Sequence, residues 1–441
     1  MSRPTLVERA LSPFQRFASQ QASSGFLLII ASVLAFAWAN SPWSAHYFEL
    51  WHTKFGFQFG DFTFKKDAHF WLNEGLMSIV FLLVGLEIKR ELLVGEISTP
   101  RKALMPLFAA LGGMVAPALI YFAINAGQPT LRGWGVPTAT DIAFALGIFA
   151  LAGNRVPTSL KVLLTAIAII DDIGAVLLIA LFYSGGLNIM ALLSALAAWL
   201  LMVGLNAMGS RNLLTYTLLF VGLWYFTLLS GLHTTVAGVL AALAIPASSR
   251  IDGPKFLSRA RGLLDEFESS APADRSPMIN EEQSSALQVL ETNLESVNSP
   301  MLRMTHILHP WVAYLMLPLF AFGNSGVTLS PGGQYDFRII FGVFFGLVIG
   351  KLIGILLFSL FAQKLKVAEL PEGLNMSHIA GIAALGGIGF TMAIFISGLA
   401  FENPIHLESS KLGIFAASIV AAILGSILIR WSTRNSPEPQ E

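Results

Sequence analysis

Long apolar stretches separated by short polar ones make up most of this chain. Many of them reach the roughly 20 residues that an α-helix needs to cross about 30 Å of hydrocarbon. The pattern predicts an all-α polytopic membrane protein with about twelve transmembrane helices, or eleven if the tight junction at Gly231 joins two stretches in one span. The predicted spans are residues 24–43, 72–87, 103–125, 134–152, 157–183, 189–207, 213–230, 232–247, 310–329, 339–362, 377–401 and 412–430.

The polar segments divide the chain and give it an orientation. Lys and Arg concentrate in segments on the same side as the N-terminus, so the positive-inside rule places both termini in the cytoplasm. The first apolar stretch is long enough to stay as a span, so we expect no cleavable signal. The predicted parts are a cytoplasmic N-terminal segment 1–23, helices one to eight in 24–247 with an outside hairpin at 46–67, a cytoplasmic loop 248–306, helices nine to twelve in 307–431, and a cytoplasmic tail 432–441.

Composition supports a membrane protein and excludes several other classes. The chain is 54% hydrophobic and 12% charged, whereas a soluble domain usually carries about 25% charged residues. The formal net charge is zero, which gives no general attraction to nucleic acid. Cysteine is absent, so disulfides, thiolate nucleophiles and metal sites with Cys ligands are excluded.

Two polar segments have patterns of their own. In 46–67, phenylalanines alternate on both sides of a glycine-first turn, which predicts a β-hairpin that either pairs with a partner subunit or lies on its own protein. In the 248–306 loop, leucines at helical spacing predict a short amphipathic helix, although the polar composition also fits a weakly ordered linker. The phenylalanines of the first segment are Phe55, Phe57, Phe59, Phe62 and Phe64, around the turn at Gly60-Asp61. The apolar residues of the second segment are Leu287, Leu290, Leu294 and Val297.

The fifth predicted span carries two adjacent carboxylates, Asp171 and Asp172, near its centre. Charged side chains at this depth are costly and are therefore functional candidates. Successive residues of a helix point about 100° apart, so one carboxylate can line an aqueous cavity while the other meets a neighbouring helix. A carboxylate that can be neutralised by either H+ or a small cation, but not by both, is the physical basis of an exchanger.

Lys351 lies in the middle of the tenth predicted span, and every other Lys or Arg falls in a predicted loop or at a span end. It lies more than two turns from either end of the span, so its ammonium group cannot easily reach water. It therefore needs a buried anion. We expect it to pair with Asp171 or Asp172.

Two spans carry signals for a break in the helix. The fourth has Gly135 and Pro137 before Asp141, and the eleventh has Gly386-Gly387-Ile388-Gly389, although such glycines also form close-packing faces. Unwound backbone inside a membrane is tolerated where it lines a cavity or is buried in protein. The fourth span is the middle member of spans three to five, and the eleventh is the middle member of spans ten to twelve. The two triplets would then be inverted repeats. Their broken spans would cross at the midplane, as at a transport site.

Other titratable residues lie near the predicted span ends. Glu87 and Glu91 close the second span, where they are either a solvated end or a cavity mouth that gathers cations. His233 and His306 lie at or near inside or interfacial ends, where a histidine can respond to pH or simply pack.

With these motifs, the chain resembles the NhaA-type bacterial Na+/H+ antiporters. The resemblance covers about residues 25–431. Its markers are TATDIAFALG from Thr138, AIIDDIGA from Ala168, GLHTTVAG from Gly231, ILHPWVAYLMLPLFAFGNSGV from Ile307, Gly350-Lys351, and GGIGFTMAIFI from Gly386.

The resemblance implies an electrogenic Na+(Li+)/H+ antiporter that extrudes sodium in exchange for periplasmic protons, for pH and sodium homeostasis. Asp172, Asp171 and Thr140 would bind Na+, and Asp171 would alternate between Lys351 and a protonated state. Asp141 would offset the dipoles of the broken helices. No cofactor and no enzymatic activity are implied, and the partners would be Na+, Li+, protons and membrane lipid.

The resemblance also implies regulation and assembly. pH control would involve the inner funnel and its surroundings, and the periplasmic hairpin 46–67 would join two copies in the inner membrane of a bacterium. Thr305 departs from the family pattern, which has a glutamate before the histidine. The residues assigned to pH sensing or the funnel are Glu87, Glu91, His233, Arg303 and His306.

Other functions fit the residues less well. A channel needs a continuous polar path, and an intramembrane aspartyl protease carries its aspartates on separate helices with a Gly-x-Gly-Asp element that is missing here. A retinal-type pump with Lys351 as Schiff base needs seven spans. A cation-coupled symporter is the closest alternative, and only the family motifs disfavour it.

Overall fold

A computed structural model describes residues 21–60, 62–95, 97–151, 156–249, 253–270, 280–329, 334–371 and 373–434. The first twenty residues of the predicted N-terminal segment and most of the predicted C-terminal tail lie outside these ranges. Within them, seven helices are long and apolar enough to cross a membrane, or nine if each of two bent helix pairs counts as one span.

The chain is almost entirely helical, with one small antiparallel sheet. The elements in chain order are α1 Gln21–Ala39, α2 Ser44–His52, β1 Lys54–Phe59, β2 Phe62–Asp67, α3 formed by Ala68–Phe70, Trp71–Leu76 and Met77–Val94, α4 Pro100–Asn125, a 3₁₀ segment Pro129–Thr138, α5 Ile142–Ala150, α6 Thr158–Phe182, α7 Ile189–Ala207, α8 Leu213–Ser230, α9 Thr235–Ala244, α10 Gly253–Ser269, α11 Glu281–Val297, α12 Pro300–Asn324, α13 Phe337–Lys364, α14 Met376–Gly386, α15 Phe390–Ala400 and α16 Pro404–Ser432.

Two of the predicted helix starts are wrong. Helix α12 begins at Pro300 rather than at residue 310, because Ser299 caps it and its first turns are amphipathic rather than apolar. Helix α16 begins at Pro404 rather than at 412, with Asn403 as its cap. Hydropathy alone misses both starts, whereas a capping residue followed by proline at the first helical position marks each of them.

Both breaks expected in the fourth and eleventh spans are present. The 3₁₀ segment ends at Thr138, the chain is extended at Ala139 and Asp141, and α5 follows. Helices α14 and α15 are separated by residues 387–389 and are bent by 47° at this point. The backbone amide of Asp141 donates to the carbonyl of Ile388 at 2.7 Å, so the two breaks are in direct contact.

Close contact between glycines holds α13 against α4. A Cβ atom added to Gly112 would collide with the carbonyl of Gly354, and one added to Gly354 would collide with the carbonyl of Gly112. Small residues allow helix backbones in a membrane to approach this closely. A π-helical turn, Gly346–Gly350, comes directly before Lys351 on α13, and such turns are frequent at functional sites.

The predicted hairpin is present, with β1 and β2 paired antiparallel and Phe57 opposite Phe64. The Phe57 and Phe64 rings stack at 5.7 Å, and Phe64 also contacts Trp71 and Trp224 of its own chain. Phe55 and Phe57 nevertheless remain 51% and 59% exposed. The hairpin therefore lies on its own protein while presenting aromatic surface outward.

The segment predicted to be a cytoplasmic loop contains two helices that pack on one another, α10 and α11. Helix α11 contains the leucines that predicted an amphipathic helix, and Asn280 and Gln283 form a capping box at its start. The helical alternative is therefore confirmed for this part of the loop. Helix α10 was not predicted.

The glycine contact generates a prediction for stability. We expect Gly112→Ala to lower the free energy of unfolding by about 1–3 kcal/mol, because the added methyl group overpacks the α4–α13 contact. Gly222→Ala on α8 is the matched control, since an added Cβ there meets no atom of the described chain within 4 Å. Thermal unfolding of the purified protein measures both, and equal midpoints would contradict the packing argument.

Candidate functional site

Asp171 and Asp172 lie next to each other on α6 and are buried, with 1% and 5% of their surface exposed. Helix α6 is 25 residues long, and its apolar sequence has only these two ionisable residues between Leu163 and Phe182. The helix thus carries both carboxylates into the protein interior, each pointing in a different direction.

Asp171 is held by two donors from different elements. Lys351 Nζ lies 2.6 Å from Asp171 Oδ2, and neither side chain is exposed to solvent. Thr140 Oγ1 donates to the same oxygen at 2.7 Å. The expected pairing of Lys351 with one of the two aspartates is therefore confirmed, and the partner is Asp171. The second oxygen, Oδ1, is buried and has no hydrogen-bond partner within the described chain.

Thr140 and Asp141 join the two broken spans. Thr140 Oγ1 also lies 3.0 Å from the carbonyl of Gly386, at the end of α14. Asp141 Oδ1 accepts from the amide of Phe144 at 3.0 Å and thereby caps α5. Asp141 Oδ2 accepts from the amide of Thr391 at 3.0 Å and from its hydroxyl. One carboxylate thus faces the N-terminal ends of α5 and α15, where helix dipoles favour negative charge.

Thr391 is a functional candidate that was not singled out from the sequence. It lies in the first turn of α15 and is buried. A hydroxyl residue just after a glycine-rich break was the available signal, because such a residue can supply a donor at a helix start. Its partner on another helix could not be found from spacing alone.

Asp172 differs from its neighbour because its carboxylate makes no hydrogen bond or ion pair with any described residue. The charged groups that act on it electrostatically are Asp171, Glu87, Asp141 and Lys351. Three of these four groups are acidic, which makes the surroundings of Asp172 attractive to a cation.

The oxygens available to a cation are few. No group of three or more His, Cys, Asp or Glu side chains with metal-site geometry occurs among the described residues. The carboxylate of Asp172, the free oxygen of Asp171 and the hydroxyl of Thr140 are hard oxygen donors of the kind that suit a small alkali or alkaline-earth ion.

Glu87, Glu91, Arg303 and His306 lie on two helices that contact each other, α3 and α12. Glu87 is half-buried, and the charged groups that act on it are Arg90 and Glu91. Arg90 and Glu91 form an ion pair at 3.1 Å, and His306 is exposed. Glu87 and Glu91 therefore lie near the end of α3, and the helix that carries Arg303 and His306 packs against α3; these four residues are called the Glu87 group.

His233 lies elsewhere. Its Nε2 is 3.1 Å from Glu74 Oε1, its Nδ1 is 2.9 Å from the Thr235 hydroxyl, and its ring meets Phe395 edge-on. Glu74 and Glu87 are thirteen residues apart on α3, which corresponds to about 20 Å along a helix. The structure thus does not bring His233 together with the Glu87 group.

The Lys351–Asp171 contact generates a prediction. We expect Lys351→Ala to lower the free energy of unfolding by about 3–5 kcal/mol, because a buried carboxylate loses its partner. Lys364→Ala, at the exposed end of the same helix, is the control. Adding Asp171→Asn to Lys351→Ala should recover part of the loss. Thermal unfolding measures all variants, and additive effects of the two changes would contradict the pairing.

Comparison with known proteins identifies the family. The sequence profile described as Na+/H+ antiporter 1 matches residues 15–429. The Na(+)/H(+) antiporter NhaA of Oleidesulfovibrio alaskensis is 46% identical over 440 residues, 99% of this chain and 98% of the relative. That of Koribacter versatilis is 44% identical over 441 residues, 99% and 96% of the two chains. By sequence over nearly its whole length, the chain belongs to the NhaA family of Na+/H+ antiporters.

Proposed function

We propose that this chain is an electrogenic antiporter that extrudes Na+ or Li+ in exchange for protons, and so serves pH and sodium homeostasis. The observation that carries the proposal is the buried site in which Asp171 is bound by Lys351 and Thr140 while the adjacent Asp172 has no partner among the described side chains. Membership of a family of multi-pass membrane antiporters supports it.

In this proposal, protons and Na+ compete for the same carboxylates. Asp172 is the principal cation ligand, and Asp171 and Thr140 complete the site when Asp171 leaves Lys351. Protons from one side neutralise the carboxylates, the site opens to the other side, and Na+ displaces the protons there. Coupling follows because an uncompensated anionic site is costly to move through a medium of low dielectric.

Electrogenic exchange requires more than one proton for each Na+. Asp172 and the Asp171–Lys351 pair are two separate proton-binding sites, and each can gain or lose a proton in one transport cycle. In the second proton-binding site, the ammonium of Lys351 has no acceptor in the described chain other than the Asp171 carboxylate. We therefore propose that Lys351 is what makes the exchange electrogenic.

We also propose twelve spans arranged as two inverted repeats, spans three to five and ten to twelve, with the broken spans crossing at the midplane. The contact between Asp141 and Ile388 and the shared carboxylate between α5 and α15 support this arrangement. Helices α5 and α9 contain nine and ten residues, so they fall below the length of a full span and need the adjoining irregular segments to cross.

The Glu87 group is proposed to be a cytoplasmic funnel that gathers cations and adjusts activity to pH. Glu87 acts on Asp172, so charge at the funnel reaches the site. Thr305 carries no charge and its hydroxyl donates to the carbonyl of Met301 at 2.9 Å. We expect this departure from the family pattern to alter the midpoint of pH control. His233 would contribute from its separate position beside Glu74.

We propose a homodimer in a bacterial inner membrane, with both termini in the cytoplasm and the hairpin in the periplasm. The exposed rings of Phe55 and Phe57 support an interface at the hairpin. A second copy would cover these rings and extend the two-stranded sheet at its edge.

One prediction of the proposed function concerns the cation ligand. We expect Asp172→Asn to abolish Na+- and Li+-driven proton movement in everted membrane vesicles, because the amide cannot exchange a proton for a cation. Asp265→Asn on α10 is the control and should retain exchange. Wild-type exchange by the Asp172→Asn protein, inserted at normal levels, would refute the site.

Another prediction of the proposed function concerns the assembly of two copies. We expect Phe55→Ser combined with Phe57→Ser to shift the detergent-purified protein from dimer to monomer, because the interface loses its apolar surface. Exposed Leu193→Ser on α7 is the control. Light scattering coupled to size-exclusion chromatography measures the mass. A double variant that stays dimeric would place the interface elsewhere.

A further inference from the structure

A second buried lysine lies at the end of the bundle that carries the hairpin. Lys411 is on the second turn of α16 and is only 8% exposed. The predicted span began at residue 412, just after Lys411, whereas α16 begins at Pro404 and includes it. Unlike Lys351, it has no hydrogen bond or ion pair with any residue in the described part of the chain.

Lys411 faces a cavity of about 310 Å³. A water molecule occupies about 30 Å³ in the liquid, so the cavity holds a small ion together with several waters. Lys411 lines this cavity and keeps 8% of its surface exposed. One wall is formed by Phe395 and Gly398 of α15.

The other titratable groups that line the cavity already have partners. Asp67 accepts from the amide of Phe70 at 2.7 Å. Glu74 Oε1 lies 3.1 Å from His233 Nε2, and Glu74 Oε2 accepts from the Thr234 hydroxyl. Neither carboxylate forms an ion pair with Lys411 within the described chain.

His69 is also satisfied. Its Nε2 lies 3.2 Å from Asn324 Oδ1, and its Nδ1 lies 2.9 Å from Asn73 Nδ2. One neutral tautomer serves both contacts, with Nε2 as donor and Nδ1 as acceptor. The histidine therefore needs no charge of its own in this cavity.

The acidic group that acts on Lys411 is Glu408, three residues earlier on the same helix. Glu408 Oε1 instead accepts from the Thr328 hydroxyl at 3.2 Å, and it does not reach ion-pair distance from Lys411 within the described chain. A buried ammonium that has no acceptor is costly. The Lys411 ammonium must therefore be stabilised either by water alone or by a bound anion.

We propose that this cavity binds a small monovalent anion, such as chloride, which Lys411 holds in place. The unpartnered ammonium supplies the attraction, and the space beside it accepts an ion with part of its water shell. Asp67 and Glu74 in the same wall disfavour anions of higher charge. The bound anion would lie against α15, the helix whose first turn contacts Asp141.

The experiment uses the purified full-length protein in choline salts, without Na+. Choline gluconate is replaced by choline chloride at constant ionic strength, and thermal unfolding is followed by tryptophan fluorescence. We expect a saturable rise in the midpoint of about 1–3 °C, because a ligand that binds the folded state stabilises it. Lys411→Met should abolish the rise, while Lys411→Arg and the exposed control Lys65→Met should retain it.

A midpoint that does not change with chloride, or a Lys411→Met protein that responds as the wild type does, would overturn the proposal. If Lys411→Met fails to fold, wild-type crystals soaked in bromide give the answer. An anomalous peak within hydrogen-bonding distance of Lys411 Nζ supports the site, and its absence overturns it. Because Na+ is left out, these results are independent of exchange activity.

Discussion

The contact on which the rest of the site depends is that between Lys351 and Asp171. Both side chains are withdrawn from solvent, and their charged atoms lie 2.6 Å apart. Taking two ions out of water costs several kcal/mol each, so such a pair requires good geometry and further hydrogen bonds. Thr140 supplies one of these bonds. The glycine contact between α4 and α13 and the π-helical turn before Lys351 bring the ammonium to the carboxylate, and the break before α5 brings the hydroxyl.

Three aspartates near one another differ in their partners, and the proposed mechanism gives each of them a different task. Asp141 accepts from the amides at the starts of α5 and α15, Phe144 and Thr391, so it joins these two helices. Asp171 shares one oxygen between two donors and leaves the other unused. Asp172 has no donor within the described chain. A cation that enters therefore meets one open carboxylate and one that must exchange its partner, and this difference orders the proposed events.

Much of this arrangement could be predicted from the sequence, because it follows from local rules. Apolar stretches gave most helices, glycine and proline gave both breaks, and the need of a buried cation for an anion gave the pairing of Lys351. What could not be predicted depends on contacts between distant segments. The bond from Thr391 to Asp141 and the pairing of His233 with Glu74 join residues far apart in sequence. The burial of Lys411 was missed because hydropathy placed the start of α16 too late.

The two buried lysines show why the charge of Lys351 and a cation at Asp171 exclude each other in the proposed mechanism. Lys411 opens onto a cavity, so water or an anion can reach its ammonium. Lys351 is fully buried, and its one acceptor in the described chain is Asp171. If Na+ takes that carboxylate, the ammonium is left buried without any acceptor, a state that costs several kcal/mol. The least costly response is the loss of its proton, which couples proton release to the arrival of sodium.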